Sequence, residues 1–355
     1  MLNLRYALIV SVVLAAGIEP LISRYDELET VYLWIYTFHM PLFAFVTGYH
    51  ARHNLQGEAG AKVLLGIALQ YLLFQSLYSV LDVTLFHVAD DDRSFFMPYL
   101  MLWFLTAHLG WRLLMKLMEA LRMPHPLIVS LAIGIAAGYW GADGDWLGLS
   151  RMLVFFPFFT AGYRFRPDRL MALYASRLRF LLRLLPVVLL ASIPLVPWQD
   201  AVGWLYGRFT YTELHAWGWE APLTRAGVYA LQFAAGAGIL ALIPQRSVAW
   251  TALGTRTLYV FLLHGLFIRM LVYLDLYSSI QSWAQIGLLM LGLLALAWLL
   301  AQPAVKRLTG WFVEPPFAAW LLRSRQHGER ARRVLPFDAQ VIRHNTAANV
   351  KVSKP

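Results

Sequence analysis

Apolar stretches of about twenty residues, the length that crosses the hydrocarbon core of a bilayer as a helix, recur along this chain. Ten candidate spans stand out: 3–21, 31–50, 63–87, 98–117, 125–140, 151–165, 180–197, 224–244, 256–275 and 281–303. Only 14% of the 355 residues are charged while 59% are hydrophobic, against about a quarter charged in a soluble domain. The pattern predicts an all-α polytopic membrane helix bundle. The N-terminal run "MLNLRYALIVSVVLAAGIEPLI" lacks a clean small-x-small cleavage site and reads as the first span rather than a removed signal. The sixth span is interrupted by Pro157.

Loop charge supplies the orientation. The even-numbered connections "HARHNLQGEAGAK", "WRLLMKLMEALRM", "YRFRPDRLMALYASRLR" and "PQRSVAWTALGTR" are all basic. The odd-numbered ones, such as "SRYDELET", "ADDDRSF" and "GADGDWLG", are acidic or nearly neutral. Cytoplasmic loops collect Lys and Arg, so the alternation puts both termini in the cytoplasm and predicts an inner-membrane location. Residues 1–305 then form the transmembrane domain and residues 306–355 a basic cytoplasmic tail. The net charge of +10 sits in short loops and the tail, which speaks for the bilayer and against a nucleic-acid partner. With no cysteine there is no disulfide framework or thiolate nucleophile. No two histidines lie four apart within a span, so no metal site is expected.

Ionisable groups inside a span cost roughly 2.5–3.5 kcal/mol at the centre on insertion scales, so each needs a reason. His39, His108 and His264 qualify. At 1.5 Å per residue, His39 lies about 12 Å and His108 about 15 Å from the outer surface, and His264 about 12 Å from the inner one. One internal cavity could hold all three; hydrogen bonding to neighbouring helices is the plainer account. Arg269 stands five residues beyond His264, placed either to bind an acidic group or developing negative charge or to snorkel to the outer interface. Glu19, Gln75, Asp82 and Gln232 are further polar groups within or at the ends of spans. Arg164, Arg166, Arg169, Arg177 and Arg179 crowd one basic loop. They serve either the positive-inside bias or a cytosolic polyanion such as the phosphates of an acyl-CoA.

Four stretches together resemble the acyltransferase family 3 membrane proteins, in the branch of fucose 4-O-acetylase-like enzymes. "YTFHMPLFAFVTGYHAR" is similar to the second-helix signature of that family, and "PYLMLWFLTAHLGW", "FFPFFTAGYRFR" and "TRTLYVFLLHGLF" to three later helices. The resemblance implies transfer of an acyl group, usually acetyl from cytosolic acetyl-CoA, to a hydroxyl of an envelope or exported carbohydrate. Succinyl-CoA is a compatible donor. It implies CoA-side contacts from Arg5, Arg164 and Arg166, and a general base at His39 assisted by His264 and Arg269. One departure counts against it: the family's first helix carries an Arg and, eleven positions later, a His, whereas here Arg5 is followed by Ala16. Alanine neither accepts a proton nor carries an acyl group. Two other readings stay open, a non-catalytic transporter or export component for a polysaccharide on the same scaffold, and an accessory subunit of a synthase.

Overall fold

The computed structural model describes residues 1–88, 94–140, 146–166, 178–195, 201–216 and 218–315. Among these residues the fold is helical throughout, with no strand. Twelve α-helices follow in order: α1 Leu2–Ile18, α2 Asp26–Ala51, α3 Gly57–Thr84, α4 Trp103–Ala120, α5 Pro126–Ala136, α6 Leu149–Arg164, α7 Leu178–Ser192, α8 Ala201–Tyr206, α9 Glu220–Leu242, α10 Thr257–Tyr273, α11 Trp283–Leu300 and α12 Pro303–Val313. The acidic run 89–93, the loop 141–145, Arg169, Arg177 and the tail from 316 onward lie outside the described residues.

Local chemistry sets the helix ends. Asp26, Glu27 and Glu29 fill the first turn of α2, where carboxylates face the positive end of the helix dipole. Ser282 and Gln285 form a reciprocal capping box on α11. Pro126 and Pro303 open α5 and α12, positions where the missing N–H costs nothing. Pro157, expected to unsettle the sixth span, lies inside a continuous α6. Neighbouring helices that bury the freed carbonyl region make such a proline tolerable in a bundle.

Among the described residues, five helical stretches are long and apolar enough to cross a membrane: Leu2–Leu21, Asp26–Ala51, Gly57–Thr84, Glu220–Leu242 and Trp283–Leu300. Pro126–Tyr139 and Thr257–Tyr273 are apolar but shorter. The remaining expected spans map onto α4, α6 and α7. This is a membrane-embedded helical protein. Its outward faces are greasy, with Leu72, Val80, Ile128, Val187, Leu288 and Leu291 all exposed. In water each such side chain would forgo about 1.5–3 kcal/mol of burial; against lipid it forgoes nothing.

The core is an aromatic slab. Trp103, Phe104 and Trp111 of α4 interlock with Phe155, Phe156, Phe158 and Phe159 of α6. Between α2 and α6 the backbones themselves touch. A Cβ on Gly48 would strike the Phe159 carbonyl, and one on Gly162 the Phe45 carbonyl, the small-residue contact that lets membrane helices approach closely. Gly162→Leu is expected to cost about 3 kcal/mol or more, because the clash is with backbone that cannot rotate away. Size-exclusion chromatography in detergent should show the monodisperse peak lost, whereas Gly66→Leu, with open space around its Cβ, should leave it intact.

Helix α12 crosses the boundary expected at 305/306. Val313 is fully buried, its carbonyl accepts from the Gln70 amide at 3.0 Å, and Glu314 accepts from the Tyr259 hydroxyl at 2.9 Å. Val313 and Glu314, within the expected tail, thus contact α3 and α10.

Candidate functional site

A cavity of about 320 Å³ opens among α1, α2, α3, α4 and α10, within the usual size of small-molecule sites. The antiparallel helices bring its polar groups to one end. Arg5 comes from the start of α1, His50 from the end of α2, Asn54 from the turn after it, and Arg112 from the second half of α4. The opposite wall is apolar, with Ile9, Val12, Phe43, Val46, Ile67 and Phe261 among its residues. Among the described residues no carboxylate lines the cavity, and Arg5 and Arg112 make its mouth positively charged.

The two arginines are held differently. Arg5 donates to the Thr257 hydroxyl at 3.1 Å. Arg112 is 2% exposed. Its guanidinium donates to both the Asn54 carbonyl and, at 3.1 Å, the Asn54 side-chain oxygen, tying α4 to the end of α2. One turn earlier on the same face of α4, His108 lines the cavity, and its Nε2 is buried with no hydrogen-bond partner. An unpaired imidazole nitrogen in such a place costs free energy, unless a ligand supplies the partner.

His39 does not line this cavity. It is 1% exposed, its Nδ1 sits 2.8 Å from the Ile35 carbonyl, and the Tyr36 ring lies 4.5 Å away, edge-on. His264 repeats the arrangement, with Nδ1 at 2.9 Å from the Val260 carbonyl and 2.8 Å from that of Phe261. A carbonyl only accepts, so each Nδ1 carries the proton and each Nε2 is left as the basic nitrogen. No hydrogen bond joins the two imidazoles among the described residues.

Arg269 is engaged elsewhere. Its guanidinium lies 3.2 Å from the Asp82 carboxylate and 5.7 Å from the Phe86 ring centre, so it ties α10 to α3. Of the expected roles it is binding to an acidic group that this pairing fits, and the group is the Asp82 carboxylate. Asp82→Ala should lower stability by about 2 kcal/mol, less than a fully dry pair because Arg269 keeps some exposure. The Asp82→Ala, Arg269→Met double variant should recover part of the loss in thermal unfolding. Arg164 and Arg166 are exposed at the end of α6 and outside the cavity lining. They stand on the same end as Arg52, which donates to the Phe165 carbonyl at 2.8 Å.

At the other end of α2 is a second polar group of residues. The Tyr32 and Tyr206 hydroxyls are 2.5 Å apart, the Glu19 carboxylate faces both, and the Tyr36 ring lies 4.9 Å from that of Tyr206. Through Tyr36 this group reaches His39. By sequence, Arg112 and His50 fall in or next to the basic connections quoted above, and Tyr206 lies between the spans expected at 180–197 and 224–244. The i, i+4 spacing of His108 and Arg112 was the available signal.

No family model matches this chain, and no curated protein or solved structure matches it either.

Proposed function

We propose that the protein is a membrane O-acyltransferase that moves an acyl group, acetyl in the simplest case, from a cytosolic acyl-CoA to a hydroxyl of an envelope or exported polysaccharide. The observation that supports this most is the cavity: cationic at the end that loop charge assigns to the cytoplasm, apolar beyond it, and free of carboxylates. That polarity suits a donor with a polyanionic head and a long, largely apolar arm. Arg5, Arg112 and His50 would hold the phosphates, and Arg164 and Arg166 would draw the nucleotide toward the mouth. The arm would run along Val12, Phe43 and Phe261 and bring its thioester near His108.

The acceptor hydroxyl would arrive from the end lined by Glu19, Tyr32, Tyr36 and Tyr206, and meet His39. There the Nε2 of His39, left basic by the Nδ1–Ile35 bond, takes the hydroxyl proton. The oxygen attacks the thioester carbonyl, the new C–O bond forms and the C–S bond breaks. The thiolate leaves and takes up a proton, so that ester and free CoA thiol balance hydroxyl and thioester. His264, in the same tautomer, would assist from α10. No metal enters this scheme.

Proton NMR of surface and secreted carbohydrate tests the reading in a strain lacking the gene and in the complemented strain. O-acetyl signals should vanish in the first and return in the second. Unchanged acetylation with reduced polymer yield would instead favour an export component, the role that Ala16 in the first helix would suit.

A further inference from the structure

On three of the five helices that line it, the cavity stops short of Ala16, His39 and His264. On α1 its lining runs Arg5, Ile9, Val12 and stops four residues short of Ala16. On α2 it stops at Met40, one residue short of His39. On α10 it runs from Thr257 to Phe261 and stops three residues short of His264. Near these ends three aromatic rings close together. Phe104 stands edge-on to Phe43 at 6.0 Å and to Phe261 at 5.8 Å, centre to centre. Its ring is 6.4 Å from that of His108, the last polar group above the closure on α4.

We propose that Phe43, Phe104 and Phe261 form a hydrophobic septum that seals the cavity from the layer of Ala16, His39 and His264, so that a ligand entering between the arginines stops at His108. The inference concerns the donor cavity of the reading above, but its geometry does not depend on the chemistry assigned there. Such a septum has two consequences. It denies water and ions a path through the bundle, as apolar constrictions do by dewetting. It also makes displacement of a phenylalanine ring a requirement for any group that passes from the cavity to His39. Phe43 and Phe261 are both half-buried, whereas Phe104 is wedged among Trp103, Trp111 and Phe43; Phe261 is the ring removed in the test below.

The absence of cysteine from the chain allows a direct test without donor or acceptor. Single-cysteine variants Thr47→Cys, on the cavity wall, and Ala16→Cys, beyond the septum, are placed in vesicles of both orientations. A membrane-impermeant maleimide is added outside. From the Arg5 end, Thr47→Cys should label at least about tenfold faster than Ala16→Cys. Adding Phe261→Ala should raise Ala16→Cys labelling from that end by about tenfold and leave Thr47→Cys unchanged. Equal labelling of the two positions with the phenylalanines intact would overturn the septum. So would an Ala16→Cys rate that Phe261→Ala does not move. If Phe261→Ala disturbs folding, both positions change together, and the comparison with intact phenylalanines still decides. Because no acyl transfer is read, a septum that fails here leaves the acetylation result untouched, and the reverse holds as well.

Discussion

If the protein is the acyltransferase proposed above, His39→Ala should lower acyl transfer about a thousandfold, the middle of the range that a positioned general base contributes, while the KM for the acyl donor should stay within about twofold. The split follows from where the side chain sits. His39 touches Tyr36 and its own helix and no part of the cavity wall, so the donor loses no contact when it is removed. A purely structural imidazole would give a different result. Its loss would remove a side-chain donor that the Ile35 carbonyl accepts beside its helical bond from the residue-39 backbone N–H, and would be mended by any side chain that restores that donor. His39→Asn supplies an N–H of similar reach and no base. The asparagine variant should therefore fold as the wild type does and transfer as poorly as alanine. If His39→Asn keeps full transfer, His39 is a packing residue and the acceptor chemistry belongs to another group. Radiolabel transferred from acetyl-CoA by the purified protein in lipid, with donor affinity measured separately, reads both parameters.

How much of this could be read from the residues alone differs between bilayer and cavity. The bilayer acts on composition over about twenty residues, whatever the neighbouring helices do. Helices such as Asp26–Ala51 and Trp283–Leu300 were therefore legible as apolar runs at 31–50 and 281–303. Burial was legible for a related reason: a titratable side chain in an apolar run is expected to face the bundle interior, and His39 and His264 are both buried. Which way a helix faces was not. His39 and Met40 are adjacent, yet only Met40 lines the cavity, and that is decided by how α2 is rotated against α1, α4 and α6. Pairings between distant segments were equally hidden. Asp82 and Arg269 are 187 residues apart, and Tyr32 finds Tyr206 at a separation of 174. Charges near a span end were ambiguous for a further reason. The positive-inside bias accounts for Arg112 and for Arg166 equally well, although one is buried against Asn54 and the other is exposed.

That ambiguity is what the second large effect resolves. On the acyltransferase reading, Arg5→Met combined with Arg112→Met should raise the KM for the acyl donor by at least about a hundredfold with kcat little changed, since a hydrogen bond to a charged group is worth about 1.5–3 kcal/mol and 1.4 kcal/mol is tenfold. The two positions are not equivalent. Arg5 gives up one bond to Thr257, so Arg5→Met reports ligand contact almost alone. Arg112 also holds the Asn54 carbonyl and side chain, so Arg112→Met loosens the turn after α2 and costs stability as well. Salt separates the two contributions. If the arginines meet phosphates, added salt weakens donor binding to the wild type and has much less effect on the double variant, because screening acts on a charge pair that the variant lacks. A stability defect would instead persist at every ionic strength. Isothermal titration with a non-hydrolysable acyl-CoA analogue, at low and high salt, gives both readings. Unchanged affinity in a folded double variant would reduce Arg5 and Arg112 to orientation charges, and the cavity would then have to be assigned to a ligand without an anionic head.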